Sequence, residues 1–282
     1  MSEFARYYLP GAEVETPIRF DATILDFDET ITSPFAEVDG KNVRVHDISR
    51  VLAAHTLGDK WKNDFLRTLT PEMSALSYAK AATPTLEGSL AWLLARAEIL
   101  PRHVKYNSAH PQLQDFIKLR MTLHERVLKD NVKLSPGFKE FAEWADGELP
   151  YGLGMATMEI NPFVKIIIDK FDLESILPKH RRATLDTKVG IIPMKPKPDR
   201  MIYDTAFERL HTPVDTPEQR ARVMGVDDSW GGVESSSDAG LHTIGFASNH
   251  TREGFTGEPV HHVVEDFYEL LDYTKEVNKK AA

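Results

Sequence analysis

The chain has 282 residues, of which 41% are hydrophobic and 27% charged, and it contains no cysteine. These fractions are those of an ordinary globular chain, and they exclude a disordered tail, a collagen-like fibre and a disulfide-stapled scaffold. No run approaches the roughly 20 apolar residues that a membrane-spanning helix requires. At about 100–200 residues per domain, the length predicts one large domain or two moderate ones.

The formal net charge of −9 argues against a nucleic-acid partner, because binding to phosphate backbones needs an excess of basic residues. The charge is also uneven. Residues 33–134 hold 15 Lys and Arg against 11 Asp and Glu, a net charge of +4, which leaves −13 for the rest of the chain. This asymmetry predicts two units with different roles, and it is compatible with a small anionic ligand.

We expect a cytoplasmic protein with no membrane partner. Residues 1–10 lack the basic and apolar segments of a signal peptide, and a chain without cysteine suits a reducing compartment.

The first predicted strand lies within 21–28, where an apolar stretch runs into two acidic residues. From about residue 41 to 130 the apolar spacing is helical, and no segment is typical of a strand. Four prolines in this stretch stand where a helix would begin, at positions 71, 84, 101 and 111. The pattern predicts a compact, all-helical insert.

Beyond residue 135, predicted strands and helices alternate. The strands cover 151–156, part of 182–191, 222–226, 243–246 and 262–264, and the helices cover 135–144, 162–171, 199–210, 233–239 and 267–279. Alternation of this kind indicates right-handed crossovers. We therefore predict an α/β fold, with a Rossmann-like parallel sheet, helices on both of its faces, and the helical insert as a second domain.

Two carboxylates follow the first strand, at Asp26 and Asp28. Residues two apart in an extended segment point the same way, so these side chains would face one spot and repel each other. A Mg²⁺ ion relieves such repulsion because it is hard and prefers oxygen ligands. A turn that caps a helix would also explain an isolated Asp-x-Asp.

Polar residues follow three further predicted strands. Thr157 is placed to donate to a phosphoryl oxygen or to cap a helix, and Lys195 lies on a loop stiffened by prolines. Asp227 and Asp228 end another hydrophobic strand. In parallel α/β sheets the carboxyl ends of the strands form the ligand-binding edge, so the four segments together predict one polar site.

In their order, these motifs resemble those of the haloacid dehalogenase-like (HAD) superfamily of phosphohydrolases. The matching residues are Asp26, Asp28 and Thr30 in the first motif, Thr157 in the second, Lys195 before Pro-x-Pro-Asp in the third, and Asp227, Asp228, Ser229 and Gly232 in the fourth. The similarity covers about 21–33 and 135–267. It implies a core domain at 1–32 and 135–282 and a helical cap domain at 33–134, which matches the family in position only.

The resemblance implies a Mg²⁺-dependent phosphatase that acts on a small phosphorylated metabolite. Asp26 would be the nucleophile that forms an aspartyl-phosphate, and Asp28 the general acid and base. Mg²⁺ would be held by Asp26, the Asp28 backbone carbonyl and Asp228, with Asp227 supporting these ligands. Thr157 and Lys195 would bind the transferring phosphoryl group.

One position departs from the family pattern, because Glu29 stands where the family usually has glycine. A positive φ at that position would strain a glutamate. The cap residues that would read the substrate are basic, and the candidates are Arg67, Lys80, Arg96, Lys118, Arg120 and His124.

Three alternatives stay open. A β-phosphoglucomutase-like mutase is disfavoured because no histidine follows the first motif before His46. A phosphonoacetaldehyde hydrolase would need a cap lysine for a Schiff base, and the candidates are Lys41, Lys60, Lys62 and Lys80. A catalytically silent binding module is disfavoured because the set of motif residues is intact.

Overall fold

The computed structural model describes residues 19–38, 40–80, 86–100, 110–212, 214–248, 251–257 and 259–281. Side chains at 38, 78–80, 86 and 87 are not described. The predictions for residues 1–10, for helix starts at Pro84 and Pro101, and for the Lys80 side chain lie outside this part of the chain.

The chain divides into two compact units. One comprises Met1–Pro34 and Lys133–Ala282, and the other is Phe35–Val132. Each boundary of the inserted unit lies two residues inside the limits of 33 and 134 that the sequence predicts.

The strands, in chain order, are β1 (Ala22–Leu25), β2 (Phe35–Val38), β3 (Lys41–Arg44), β4 (Gly152–Thr157), β5 (Arg182–Thr184), β6 (Lys188–Val189), β7 (Ile192–Pro193), β8 (Val223–Asp227), β9 (His242–Phe246) and β10 (His262–Val264). Six of them form one sheet in the order β10-β9-β8-β1-β4-β5. Every neighbouring pair in this sheet is parallel, as predicted.

The helices are α1 (Val45–Trp61), α2 (Asp64–Arg67), α3 (Pro71–Lys80), α4 (Leu86–Arg96), α5 (Pro111–Asn131), α6 (Phe138–Glu148), α7 (Asn161–Phe171), α8 (Met201–Arg209), α9 (Pro217–Ala221), α10 (Trp230–Asp238) and α11 (Phe267–Lys280). Pro71 and Pro111 begin α3 and α5, as their positions predict. Short helix α9 has no counterpart in the prediction.

The first unit places β1 at the centre of the sheet, between β4 and β8. All four residues of β1 are buried, because a strand in the middle of a parallel sheet is covered on both faces. On one face α8 contributes Ile202, Tyr203, Ala206 and Phe207 to a buried apolar cluster. On β8, a Cβ built at Gly225 would lie 2.1 Å from Ser236 Oγ, so glycine there permits the close approach of α10.

The inserted unit is built around α1, α4 and α5, whose apolar faces share one buried cluster that includes Leu57, Leu93 and Phe116. It also contains an antiparallel hairpin of β2 and β3. The predicted all-helical insert, with no strand, is therefore wrong in this detail. The strands have only four residues each, too few to show a clear period, but the Asp39-Gly40 pair between them is a recognised hairpin signal.

Within the described ranges, no helix combines the length and apolar character needed to cross a membrane.

Candidate active site

The candidate site lies at the carboxyl edge of the central strands. Asp26 comes directly after β1, and its backbone N–H donates to the carbonyl of Val226 on β8 at 2.8 Å. Thr157 is the last residue of β4 and Asp227 the last of β8. Because β4 and β8 both pair with β1 in parallel, their ends meet at the same edge.

Three buried carboxylates meet at this edge. Asp26, Asp227 and Asp228 are 6%, 0% and 8% exposed, and each offers a carboxylate oxygen within 4.8 Å of those of the other two. Among the described residues, this is the one group of three or more acidic or histidine side chains close enough to share a metal ion. The carboxylates of Asp26 and Asp228, both predicted from the sequence to bind a metal, therefore lie close to each other.

A lysine lies between two of these carboxylates. Lys197 Nζ is 2.5 Å from Asp26 Oδ1 and 2.6 Å from Asp227 Oδ2, and its side chain is 7% exposed. A buried ion pair needs such close geometry, because removing both charges from water costs several kcal/mol per ion.

The lysine at the site is not the one selected from the sequence. Lys195 extends into solvent with 63% of its side chain exposed, and pairs with Asp199 at 3.1 Å. The hydrogen bond from Asp199 N to Pro196 O closes a turn over 196–199, so Lys197 lies within the turn and Lys195 precedes it. Both lysines precede a proline, so the motif alone did not distinguish them, and Lys197 takes the place at the carboxylates that was expected for Lys195.

Hydrogen bonds fix both oxygens of Asp227. Its Oδ1 accepts from the backbone N and from Oγ of Ser229, at 3.0 and 2.8 Å, and Oδ2 accepts from Tyr203 Oη at 2.8 Å as well as from Lys197. With its oxygens engaged in this way, Asp227 is placed to orient Lys197 and is a poorer candidate for a metal ligand than its neighbours. Tyr203 was not identified from the sequence, where it is one apolar position on the buried face of α8.

The remaining motif residues lie close to the same edge. Thr157 is 1% exposed, and its Oγ1 accepts a hydrogen bond from Glu159 N at 3.0 Å, which leaves the hydroxyl proton to point elsewhere. Thr30 Oγ1 donates to Asp228 Oδ1 at 3.4 Å. Asp28 is half-buried in the turn that follows β1.

The φ angle of Glu29 is 63°. A glutamate is strained at a positive φ, so the strain considered from the sequence is present. Neighbouring polar groups hold this backbone: Ser248 Oγ donates to Glu29 O at 2.5 Å, and Glu29 N donates to Thr32 Oγ1 at 3.3 Å. The departure from the family glycine is therefore accommodated at the cost of local backbone strain.

The pKa values at the site are shifted because three buried acids surround one ammonium group. Burial raises the pKa of Asp26 to about 7, against the opposing effect of Lys197, and repulsion from Asp227 adds to it. Burial also raises the pKa of Asp228 well above its usual range, with further contributions from Asp227 and Asp26. Burial acts to lower the pKa of Lys197, but the charges of Asp227 and Asp26 together outweigh it, so the pKa is raised.

The predicted substrate-reading residues of the inserted unit have different environments. Arg67 pairs with Asp59 and Asp64 at its surface, and Arg96 lies over the Trp92 ring at 5.4 Å. Lys118 is exposed.

Two of these residues instead lie inside the unit. Arg120 is 4% exposed and donates to His46 Nδ1 at 3.1 Å, and His124 is fully buried with Nδ1 3.3 Å from Ser49 Oγ. Arg120 and His124 thus belong to an interior polar network, and a role for any of the six in substrate binding stays a prediction.

Comparison with known proteins supports the fold. No protein-family model matches the chain, and no curated protein matches its sequence. Solved structures do match. A HAD hydrolase of family IA, variant 3, from Entamoeba histolytica is 18% identical with a TM-score of 0.65, over 92% of this chain and 100% of that one.

Two further matches are CbbY from Rhodobacter sphaeroides, solved with phosphate, and a putative β-phosphoglucomutase from Thermotoga maritima. The first is 21% identical with a TM-score of 0.60, over 89% of this chain and 96% of that one. The second is 20% identical with a TM-score of 0.63, over 92% of this chain and 100% of that one. The chain therefore has the fold of HAD hydrolases, and the predicted α/β architecture with an inserted helical unit is confirmed.

The raised pKa of Asp26 predicts that the metal-free protein loses stability as the pH rises from about 4 to about 7. In this window the folded state keeps a proton that the unfolded state, with a pKa near 3.8, has already released, so the free energy of unfolding falls with pH. One isolated group with this shift would contribute at most about 4 kcal/mol. Urea unfolding in EDTA at several pH values measures the slope. The Asp26→Asn variant should flatten it, and an unchanged slope in that variant would contradict the assignment.

Gly232 gives a second prediction. A Cβ at this position would lie 1.8 Å from Asp227 Cγ, whereas a Cβ at Gly231 meets nothing nearer than 3.9 Å. Gly232→Ala should displace the Asp227 carboxylate and lower the free energy of unfolding by roughly 1–3 kcal/mol, the usual cost of overpacking. Gly231→Ala is the matched control and should be close to neutral. Equal stability of the two variants in chemical denaturation would show that Asp227 is not held against α10.

Proposed function

We propose that the protein is a Mg²⁺-dependent phosphatase that hydrolyses a small phosphorylated metabolite through an aspartyl-phosphate intermediate. The observation that carries this proposal is the buried lysine that joins Asp26 to Asp227, beside Asp228, at the carboxyl edge of the sheet. A nucleophilic carboxylate, a fixed positive charge and a group of oxygen ligands are the parts that phosphoryl transfer to an aspartate requires. The fold of HAD hydrolases supports the same chemistry.

The residues fit a hard divalent cation. Three buried carboxylates against one ammonium leave an excess of negative charge, and carboxylate and carbonyl oxygens are the ligands that Mg²⁺ prefers. Asp26 and Asp228 would hold the ion together with the backbone carbonyl of Asp28. When bound, Mg²⁺ would neutralise charge on the phosphoryl oxygens and favour the ionised form of Asp26.

In the first step, a carboxylate oxygen of Asp26 would attack phosphorus while the bond from phosphorus to the ester oxygen breaks. Asp28, two residues further on, would donate a proton to the departing oxygen, so that the product leaves as a neutral alcohol. The phosphoryl group is then carried on Asp26. Splitting the reaction at this point replaces one difficult displacement with two easier ones.

In the second step, water would attack the phosphorus of the aspartyl-phosphate. Asp28, now ionised, would accept the proton of that water, and the bond from phosphorus to the Asp26 oxygen would break. Inorganic phosphate leaves, and both carboxyl groups return to their starting states.

Lys197 and Thr157 would stabilise the transferring group. Asp227 accepts a hydrogen bond from Lys197, and Tyr203 in turn donates to Asp227. The ammonium is therefore oriented before substrate binds and needs little rearrangement during the reaction. The Thr157 hydroxyl, at the end of the neighbouring strand, is positioned to donate to a phosphoryl oxygen.

We expect the purified protein to release inorganic phosphate from p-nitrophenyl phosphate with Mg²⁺ and to lose this activity in EDTA. Asp26→Ala should reduce the rate to background. Lys197→Ala should reduce kcat by about 100-fold or more, the usual effect of removing one preorganised electrostatic group.

Lys195→Ala is the matched control for Lys197→Ala, because it removes a lysine from the same loop and should change the rate by less than about twofold. Thermal melts of each variant separate loss of activity from loss of the fold, since removing Lys197 leaves buried carboxylates without their partner. Full activity in Asp26→Ala would refute the nucleophile. Formation of an isomeric sugar phosphate without release of phosphate, in a sugar-phosphate panel, would favour a mutase.

A further inference from the structure

A group of basic side chains lines a groove in the first unit, away from the carboxylate cluster. A groove of about 690 Å³ is bordered by the segment after α7, by β5 and β6, and by the end of α8. We call it the basic groove, and its basic lining residues are Lys179, His180, Arg182, Lys188, Arg209 and His211. None of Asp26, Lys197, Asp227 or Asp228 lines it.

The one acid among the described lining residues of the basic groove is already engaged. Glu174 forms an ion pair with Arg182, whose side chain is only 4% exposed, and it also accepts a hydrogen bond from the backbone N of Lys179 at 3.1 Å. The Arg182 Nε donates to Leu177 O at 2.6 Å, which fixes the guanidinium as part of the groove floor. Glu174 therefore compensates Arg182 and leaves the other cations of the groove without an anionic counterpart on the wall.

Three of those cations are Lys179, Lys188 and Arg209. In the part of the chain that the structure describes, none of them lies within 4.0 Å of a carboxylate oxygen. Arg209 is half-buried and donates to the backbone carbonyl of Arg182. Burial lowers the pKa of Arg209, and Glu208 opposes this, so its charge is poorly solvated and poorly compensated. His180 and His211 add two stacked imidazoles, with ring centroids 6.2 Å apart.

The size and the positive charge of the groove suit a small molecule with several negative charges. Its volume falls within the ~300–1,000 Å³ range of small-molecule sites, and planar guanidinium groups beside lysines suit phosphate oxygens. One inorganic phosphate ion would compensate at most two of the three cations. We propose that the basic groove binds a small organic anion that carries two or more phosphate groups, at a site separate from the proposed reaction.

The test uses the full chain with inorganic tripolyphosphate as the probe. Calorimetric titration in EDTA, which removes the metal from the carboxylate cluster, should show saturable binding. The double variant Lys179→Gln, Lys188→Gln removes two exposed charges without touching the interior and should weaken binding at least tenfold. Arg209→Gln should do the same. The matched control is Lys165→Gln, an exposed lysine on α7 that pairs with Asp169, and it should stay within about twofold of wild type.

The outcomes distinguish this proposal from the proposed function. Phosphatase activity should be unchanged in the double variant, so failure of catalysis and failure of the groove are independent results. Binding that is lost in Asp26→Asn but kept in the double variant would place the anion at the carboxylate cluster and overturn the proposal. Absence of binding at millimolar tripolyphosphate, or equal loss in Lys165→Gln, would overturn it as well.

Discussion

The structure of the site depends on one charge imbalance: three buried carboxylates share a single ammonium group. Lys197 compensates Asp26 and Asp227 directly, and Asp228 adds a further negative charge beside them. Burial alone would favour neutral acids, which is the direction in which the pKa values of Asp26 and Asp228 move. When all three acids are ionised, Lys197 alone does not balance their charge. Under the proposed function, a bound divalent cation would offset the remaining negative charge before a phosphoryl group enters.

The fold supplies this arrangement through the position of β1. Because β1 lies between β4 and β8, residues that follow three separate strands reach the same edge. Glycine residues then allow the surrounding helix to come close: Gly225 admits Ser236, and Gly232 leaves room for the Asp227 carboxylate. In the turn after β1, hydrogen bonds from Ser248 and to Thr32 hold the Glu29 backbone at a positive φ that a glutamate does not favour. Packing and hydrogen bonding therefore hold the repelling charges together.

The sequence allowed much of this to be predicted, because buried strands and their polar ends have a clear pattern. Asp26, Thr157, Asp227 and Asp228 each follow or end a run of apolar residues, and all four lie at the predicted edge. The selection of Lys195 was wrong, because Lys195 and Lys197 both precede proline and only tertiary contacts distinguish them. Lys195 pairs with Asp199 in solvent, whereas Lys197 is buried against Asp26 and Asp227. Tyr203 was missed because it occupies an apolar position on the buried face of α8, and only the structure shows its hydroxyl donating to Asp227. The β2–β3 hairpin was missed because its strands are too short to show a period.

We propose that the carboxylate cluster binds a divalent cation, and calorimetric titration of the metal-free chain with MgCl₂ near pH 6.5 measures this binding. Two buffers with different ionisation enthalpies report the protons exchanged on binding. We expect one Mg²⁺ per chain and a net release of protons, because the ion favours the ionised form of acids whose pKa values burial has raised. Asp228→Asn should abolish this binding. No binding at millimolar Mg²⁺, or binding that releases no protons and survives Asp228→Asn, would show that the cluster is not a divalent-cation site.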